Sequence, residues 1–349
     1  MRDLRFLVTF PAGFEEIVPL LLRRFLPSVK IVSRSGGMVL FSAPSADPLL
    51  KAPLFFTNVF AVVREWASPG ISFPDMIHGI IKKDSLAGFA APKIPGNSFR
   101  LRFSRASRFE SVDKRFVQKA EEYIASSARM RLDKLSGGAE FWFLIRQEGP
   151  AYFACKLPQH PAKKGPASRP GELKSETALL VAALAQPSGT EKLVCDPFAG
   201  YGSIPAQLEI LCPNAAIVAV DSDSSLVSGL NRRFSGNSRV RIHCGDARNL
   251  AMIETASVDL VAADPPWGEW EAGGYSDSAE LGSLYSAFLA ELDRILAPGG
   301  KAVVLTGAKD LFERAAAVSP SFSACAAREG FRTDILVNGK KAAVYRLNR

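Results

Sequence analysis

Between Leu193 and Gly268 the chain alternates short apolar runs with clusters of Gly, Asp and Pro. Four such runs end in a cluster, in the segments LVCDPFAGYG, VAVDSD, HCGDARNL and VDLVAADPPWG. Short apolar runs followed by turn residues are typical of buried parallel strands, whose carboxyl ends present polar groups at one edge of a sheet. The pattern predicts an α/β domain with a ligand site at that edge.

The end of the chain carries the signal for an antiparallel hairpin. Two strand-like runs, Phe331–Val337 and Ala342–Leu347, flank Asn338 and Gly339. Asn-Gly between such runs is a strong signal for a two-residue hairpin turn. We therefore expect the last two strands of the sheet to pair antiparallel.

The first 160 residues combine strand patterns with amphipathic helices and predict an α+β unit. The predicted strands are Leu4–Phe10, Lys30–Val32, Met38–Ser42, Asn58–Trp66, Ser98–Phe103, Ala139–Gln147 and Ala151–Leu157, and the predicted helices are Phe14–Phe25 and Val112–Leu132. A polar, Pro-rich stretch, PQHPAKKGPASRPG, follows and is typical of a connector. The predicted organisation is an N-terminal region over residues 1–160, a linker over 161–171 and a catalytic domain over 172–349.

The two halves of the chain differ in net charge. The net charge of +8 divides into +11 up to Gly165 and −3 from Pro166 onward. A basic unit joined to a slightly acidic one indicates that the first half binds a polyanion and that the second half is catalytic. A Lys-rich surface exposed to solvent would give the same charge distribution without binding a polyanion. The predicted RNA-binding residues are Arg100, Arg102, Arg105, Arg108, Lys114 and Arg115. Phe99, Phe103, Phe109 and Phe116 lie among them with the spacing of core residues.

Composition argues against several other classes. No apolar run reaches the roughly 20 residues of a membrane span, and the N-terminus lacks the pattern of a signal peptide. The five cysteines show no CxxC spacing, and the three histidines lie far apart in sequence. We expect reduced, mostly buried thiols, no metal site, no membrane association and a cytoplasmic location.

The turn after the first apolar run has the residues of a cofactor site. Gly200 and Gly202 let the backbone approach a ligand, and a helix predicted over 203–211 offers free N–H groups. Asp196, directly before the turn, would repel phosphate and favours a ligand with an amino group, such as the methionyl end of S-adenosylmethionine. Asp221 is spaced to accept from ribose hydroxyls, while Asp223 fits a helix cap. The predicted cofactor contacts are Asp196, Pro197, Gly200, Gly202, Asp221, Ser222, Asp246 and Ala247, with Asp246 facing the adenine amine.

The segment DPPWG is the most specific motif of the chain. Its two prolines stiffen the turn, so Asp264 and the Pro265 carbonyl can accept both hydrogens of an exocyclic amine. Trp267 is expected to stack on the base that carries the amine. Holding both N–H groups aims the nitrogen lone pair at a methyl sulfonium, and positioning carries the rate. The predicted catalytic residues are Asp264, Pro265 and Trp267, and the lack of an adjacent Cys argues against cytosine C5 methylation.

The motifs DPFAGYGSIP, VDSD, GDARNL and DPPWG resemble those of THUMP-containing RNA guanine-N2 methyltransferases. The resemblance covers most of the chain. It implies a C-terminal Rossmann-like methyltransferase with a mostly parallel seven-stranded sheet, preceded by an α+β ferredoxin-like and THUMP region that grips RNA, most often tRNA. It also implies S-adenosyl-L-methionine as cofactor. Whether a small activator subunit is a further partner stays open. Gln207, Glu269 and Trp270 depart from the family pattern.

Three other interpretations stay open from the residues alone. A DPPW motif that holds a planar amine also fits a DNA adenine or cytosine amino-methyltransferase. A protein glutamine methyltransferase is a further alternative, although such enzymes more often carry Asn where Asp264 stands. The third is a non-catalytic RNA-binding protein with a relict methyltransferase fold.

Overall fold

The computed structural model describes residues 4–26, 28–45, 47–67, 69–87, 89, 96–135, 138–158, 169–268 and 278–349. Most of the predicted linker, together with Glu269 and Trp270, lies outside the described residues. The chain divides into two compact units. The first comprises residues 1–10, 18–52 and 56–163, and the second comprises residues 11–17, 53–55 and 164–349.

The first unit is built on one mixed sheet of nine strands among its described residues. Its strands are β1 (Leu4–Thr9), β2 (Lys30–Ser35), β3 (Met38–Ala43), β4 (Asn58–Trp66), β5 (Ser98–Arg105), β6 (Arg108–Phe109), β7 (Arg131–Leu132), β8 (Ala139–Ile145) and β9 (Ala151–Lys156). Its helices are α1 (Ile17–Phe25), α2 (Asp47–Lys51), α3 (Phe73–Lys82) and α4 (Lys114–Ala128). The strand order is β2-β3-β1-β4-β9-β8-β5-β6, and β7 pairs with β5.

Helices α3 and α4 cover one face of this sheet. Met76, Ile77 and Ile80 of α3 and Ile124 of α4 pack on the buried phenylalanines of β5, β8 and β9. Helix α3 is absent from the elements predicted from the sequence, although Ser72 and Asp75 form a capping box at its start. Such a box is a sequence-level signal for a helix N-terminus, so this helix could have been found.

Two predicted helices are shorter than expected, for local reasons. The first begins at Ile17 and not at Phe14, because the Glu15 carboxylate accepts the Gly13 N–H and holds these residues in a turn. The second begins after Asp113, whose side chain accepts the Arg115 N–H, and ends at Arg129 in a left-handed conformation. A capping carboxylate and a left-handed residue are ordinary helix boundaries.

The second unit contains a seven-stranded sheet with helices. The strands are β10 (Leu193–Asp196), β11 (Ala216–Asp221), β12 (Val240–Cys244), β13 (Val258–Ala263), β14 (Leu296–Thr306), β15 (Arg332–Val337) and β16 (Lys340–Asn348). The helices are α5 (Ser175–Ala183), α6 (Ser203–Leu211), α7 (Ser224–Arg233), α8 (Ser278–Ile295), α9 (Lys309–Val318) and α10 (Ser323–Ala326).

The order of this sheet is β12-β11-β10-β13-β14-β16-β15. The first five strands pair parallel, and β16 pairs antiparallel with both β14 and β15. The predicted hairpin is confirmed, because Asn338 and Gly339 both have positive φ between β15 and β16. On one side of the sheet, α8 and α9 bury Phe288, Leu292 and Phe312 against the central strands. The carboxyl ends of the five parallel strands, β10 to β14, therefore meet at one edge.

Candidate active site

Three carboxylates lie together at this edge of the second unit. Asp196 ends β10, Asp221 ends β11, and Asp264 follows β13 directly. Strand β10 pairs parallel with β11 on one side and with β13 on the other. The register brings the three side chains close enough for Asp264 and Asp221 to influence the ionisation of Asp196. The glycine turn and the diproline turn are therefore neighbours at the same sheet edge.

Asp196 is a buried carboxylate with an unsatisfied oxygen. Its residue is 1% exposed, one oxygen accepts the Phe198 N–H at 3.1 Å, and Oδ2 has no partner among the described residues. Burial, together with repulsion from Asp264 and Asp221, raises its pKa well above the usual value near 3.8. A buried unpaired carboxylate is costly unless a cation or donor joins it. The site therefore fits a cationic group beside Asp196.

Asp221 joins the glycine turn to the end of β11. Its Oδ2 accepts the Gly200 N–H at 2.7 Å, and its Oδ1 accepts the Asp223 N–H at 2.9 Å. Each oxygen keeps a further lone pair that could accept from a ligand. Asp223 caps α7 by accepting the Ser225 N–H, which confirms the predicted cap.

The two glycines of the turn serve different purposes. At Gly200 an added Cβ would meet only the Phe198 carbonyl at 4.0 Å, so the space above it is open. At Gly202 the φ is +84° and an added Cβ would lie 2.9 Å from Leu230 and Phe234. Gly202 is therefore required for the close packing of the turn on α7, a role not predicted from the sequence.

The remaining predicted cofactor residues lie at the same edge. Pro197 and Ala247 are buried, whereas Ser222 is exposed. Asp246 is held by its neighbour Arg248, with Oδ2 at 2.6 Å from a guanidinium nitrogen. This ion pair lowers the pKa of Asp246 and, because Arg248 lies only two residues away, it fixes the carboxylate close to the backbone.

The diproline turn is fixed from both sides. The Trp267 indole N–H donates to Asp264 Oδ1 at 2.9 Å. The Trp267 ring also packs on Gly307, where an added Cβ would lie 2.5 Å from Trp267 Cε3. Only glycine allows this approach, so Gly307 positions the indole although it lies far away in sequence.

A chain of hydrogen bonds between hydroxyl groups also holds the diproline turn. The Tyr285 hydroxyl donates to the Pro266 carbonyl at 2.6 Å and lies 2.8 Å from Thr306 Oγ1, which accepts the Ala308 N–H. Tyr285 and Thr306 are both fully buried. Since tyrosine has one hydroxyl hydrogen, the Thr306 hydroxyl must donate to Tyr285. The chain occupies the Pro266 carbonyl, whereas no described residue donates to the Pro265 carbonyl.

The predicted RNA-binding residues lie in the first unit, on β5, β6 and the start of α4. Arg100 pairs with Glu140, Arg105 with Glu110, and Arg115 with Asp113. Arg102 lies 3.8 Å from Glu140, while Arg108 and Lys114 are exposed. The core interpretation of the four phenylalanines holds for Phe99 and Phe103, but it is wrong for Phe109, which is 70% exposed.

A cavity of about 280 Å³ lies elsewhere in the second unit. Lys301, Cys325, Arg328 and Arg346 are among its lining residues. Lys301 stands near the amino end of the β13-paired part of β14, away from the carboxyl edge, so this cavity is separate from the candidate site.

The described ranges contain neither a metal-binding group nor a membrane-spanning helix. No three His, Cys, Asp or Glu side chains cluster as metal ligands there. None of the helices in those ranges combines the length and apolar character that a bilayer crossing requires. All five cysteines are free thiols, and four of them are buried, as predicted.

The fold of the chain is a mixed α/β methyltransferase fold. TrmN from Thermus thermophilus is similar over 99% of both chains, with a TM-score of 0.74 and 22% identity. SMU.472, solved in complex with S-adenosylhomocysteine, is similar over 99% of this chain and 98% of its own, with a TM-score of 0.68 and 15% identity.

Sequence comparison identifies the catalytic half. Residues 163–336 match the family of RMKL-like methyltransferase domains. These residues therefore form an S-adenosylmethionine-dependent methyltransferase domain, which confirms the predicted cofactor. The ribosomal RNA small subunit methyltransferase A of Synechococcus sp. (strain RCC307) is 31% identical over 163 residues. That match covers 45% of this chain and 54% of the relative, so the chain spans about half the length of this curated relative.

The hydrogen bonds of the Tyr285 hydroxyl predict that its removal lowers the stability of the protein. Replacing Tyr285 with Phe would remove the donor to the Pro266 carbonyl and the acceptor of the Thr306 hydroxyl hydrogen. We expect the free energy of unfolding to fall by about 1–3 kcal/mol, measured by urea denaturation. The matched control is Tyr201→Phe, because the Tyr201 hydroxyl makes no hydrogen bond within the described part of the chain. Equal losses in the two variants would contradict the assigned role.

The raised pKa of Asp196 predicts a pH dependence of stability. Because its folded pKa exceeds the unfolded value near 3.8, the folded state binds more protons between the two values. The contribution of Asp196 to stability therefore decreases as pH rises from about 4 to its folded pKa. In urea denaturation across this range without cofactor, we expect Asp196→Asn to gain stability relative to the wild type as pH rises.

The control for this experiment is Asp223, whose pKa is shifted in the direction opposite to that of Asp196. Hydrogen bonds from Ser225 lower the pKa of Asp223, so its stabilising contribution is present above the unfolded pKa and is lost as pH falls through the folded one. Asp223→Asn should therefore be less stable than the wild type by a nearly constant margin above about pH 4, and this margin should shrink as the pH falls below it. A constant difference between Asp196→Asn and the wild type at every pH would contradict the assignment.

Proposed function

We propose that this protein transfers a methyl group from S-adenosylmethionine to the exocyclic N2 amine of a guanosine in structured RNA, with tRNA as the substrate. The observation that carries the proposal is the position of the Asp264–Pro265 acceptor pair next to the glycine turn. A planar amine held at this pair would stand opposite the methyl donor.

The carboxyl edge of β10 and β11 suits the proposed cofactor. When bound, S-adenosylmethionine supplies an electrophilic methyl group on a positively charged sulfur. The unpaired Oδ2 of Asp196 would accept from the methionyl ammonium, whose charge offsets the crowding of carboxylates. Asp221 would accept from the ribose hydroxyls while it still holds Gly200. In our proposal Pro197, Gly202, Ser222, Asp246 and Ala247 complete the cofactor contacts.

The diproline turn suits a planar amine that must be held by both hydrogens. The Trp267 indole N–H donates to Asp264 Oδ1 and so orients the carboxylate. Tyr285 occupies the Pro266 carbonyl, which leaves the Pro265 carbonyl as the second acceptor. Two acceptors fixed in this way orient the amine and draw its lone pair out of conjugation, so the chemistry needs no covalent enzyme intermediate.

The first unit suits a polyanionic substrate. The first 165 residues carry a net charge of +11, and Arg108, Lys114 and Arg115 are exposed on this unit, with Arg115 paired to Asp113. A basic unit of this kind binds nucleic acid through its phosphates. The Synechococcus relative is named for an activity on ribosomal RNA, which supports RNA over DNA or protein. We propose that this unit corresponds to the ferredoxin-like and THUMP region of the family that the motifs resemble.

The experiment that tests the proposal is methyl transfer with tritiated S-adenosylmethionine to separate pools of tRNA, rRNA, DNA and protein. We expect label in tRNA, released by digestion as N2-methylguanosine. Replacing Asp264 with Ala should reduce turnover by about 100-fold or more, because an oriented acceptor is lost, while the cofactor dissociation constant stays within about threefold. Asp310→Ala, an exposed carboxylate of the same unit, should leave both unchanged.

Three results would count against parts of this proposal. Label in DNA alone would end the RNA assignment. N6-methyladenosine in place of N2-methylguanosine would end the guanine assignment. Unchanged turnover of Asp264→Ala would remove the role of the diproline turn.

A further inference from the structure

Phe109 is an apolar side chain that the fold of the first unit does not bury. It lies on β6, the short strand that forms a hairpin with β5, and it is 70% exposed. Phe99 and Phe103, on the preceding strand, are at most 8% exposed and belong to the core. A single exposed apolar side chain is ordinary on a protein surface, so the groups around Phe109 decide what this ring could bind.

Phe109 stands next to a second aromatic ring and a guanidinium group. The Phe109 and Trp142 ring centroids are 5.5 Å apart, and the Arg102 guanidinium carbon lies 5.6 Å from the Phe109 centroid. The Trp142 ring is in turn 5.9 Å from the Lys156 ammonium, and its indole N–H donates to Glu140 at 3.1 Å. These contacts hold Trp142 in place beside Phe109.

The turn that presents Phe109 has an unusual backbone. Ala106 and Ser107, between β5 and β6, both have left-handed φ, at 47° and 66°. Residues other than Gly, Asn or Asp rarely adopt this conformation, which costs of order 1 kcal/mol or more per residue. The turn is held in place, because the Ala106 N–H donates to the Ile145 carbonyl at 2.9 Å and Arg146 donates to Ser107 Oγ at 3.2 Å.

The positive charge around the turn indicates what kind of partner would bind there. Arg102, Arg105 and Arg108 lie on the same hairpin as Phe109, where Glu140 pairs with Arg102 and Glu110 with Arg105. Arg108 is exposed and makes no ion pair with any residue in the described ranges. An exposed ring among cations fits an anionic chain whose links carry flat aromatic groups. Single-stranded nucleic acid has this chemistry, since its bases stack on aromatic side chains and its phosphates pair with arginine.

We propose that Phe109 is a base-stacking platform for an unpaired nucleotide of the RNA substrate, with Arg102 and Arg108 contacting the phosphates beside it. The inference rests on the proposed function, because it takes RNA as the substrate. It goes beyond that function by assigning a single-stranded segment of the RNA to the β5–β6 hairpin. Trp142 supports the ring from the sheet, and the fixed left-handed turn sets its orientation.

The test is the binding of a fluorescent eight-nucleotide single-stranded RNA to the full chain, followed by anisotropy. We expect Phe109→Ala to weaken binding about 5- to 100-fold, because stacking of one base is lost. Phe109→Tyr should bind like the wild type, since it keeps the aromatic face. Phe109→Leu should bind like the alanine variant, because it keeps apolar area but lacks an aromatic face.

A matched control comes from the same unit. Leu135 is 95% exposed and lies outside the cationic hairpin, so Leu135→Ala should leave binding unchanged. A fully paired RNA duplex should bind Phe109→Ala and wild type within about twofold of each other, because its bases are already stacked. Thermal unfolding confirms that each surface variant is folded.

The outcomes separate this inference from the proposed function. If Phe109→Ala binds the single strand as tightly as the wild type, or if only single-stranded DNA shows the effect, the platform is wrong even when the wild type methylates RNA. If Phe109→Leu binds like the wild type, the contact is apolar and not stacking, which also overturns it. If the single strand requires Phe109 but no RNA accepts methyl groups, the platform stands and the proposed reaction fails.

Discussion

The carboxyl edge of the second unit depends on one electrostatic constraint, the convergence of three carboxylates on neighbouring strands. The parallel register of β10 with β11 and β13 brings Asp196, Asp221 and Asp264 to this edge. Two of them are held by donors of the protein, since Asp221 accepts from backbone N–H groups and Asp264 from Trp267. Asp196 keeps an oxygen without a partner, and burial raises its pKa. A cationic ligand would remove the imbalance, and in our proposal this is how the sheet register contributes to cofactor recognition.

The diproline turn shows how the same fold makes a rigid acceptor. Its prolines restrict the backbone, Tyr285 fills one carbonyl, and Gly307 leaves room for the Trp267 ring. The supporting residues come from α8 and from the end of β14, so packing of the sheet against its helices sets the geometry of the turn. A rate that depends on positioning requires such support, because small displacements of an acceptor reduce the productive population.

Much of this arrangement could be predicted from local patterns in the sequence. Apolar runs ending in Gly, Asp or Pro identified the strands of the parallel sheet, and Asn338–Gly339 identified the hairpin, because both signals involve residues close together in the chain. The cap at Asp223 was found for the same reason. The Tyr285 contact with Pro266 joins residues 19 positions apart, and no local pattern announces it. The exposure of Phe109 also depends on tertiary context, since its spacing resembles that of the buried Phe99 and Phe103.

The most direct test of the central claim is a crystal structure of the protein with S-adenosylhomocysteine. The account predicts that the ligand's amino group lies within hydrogen-bonding distance of Asp196. It also predicts that the sulfur faces the space in front of Asp264 and the Pro265 carbonyl, with the ribose at Asp221. A ligand bound away from the glycine turn, or one whose sulfur points away from the diproline turn, would contradict it.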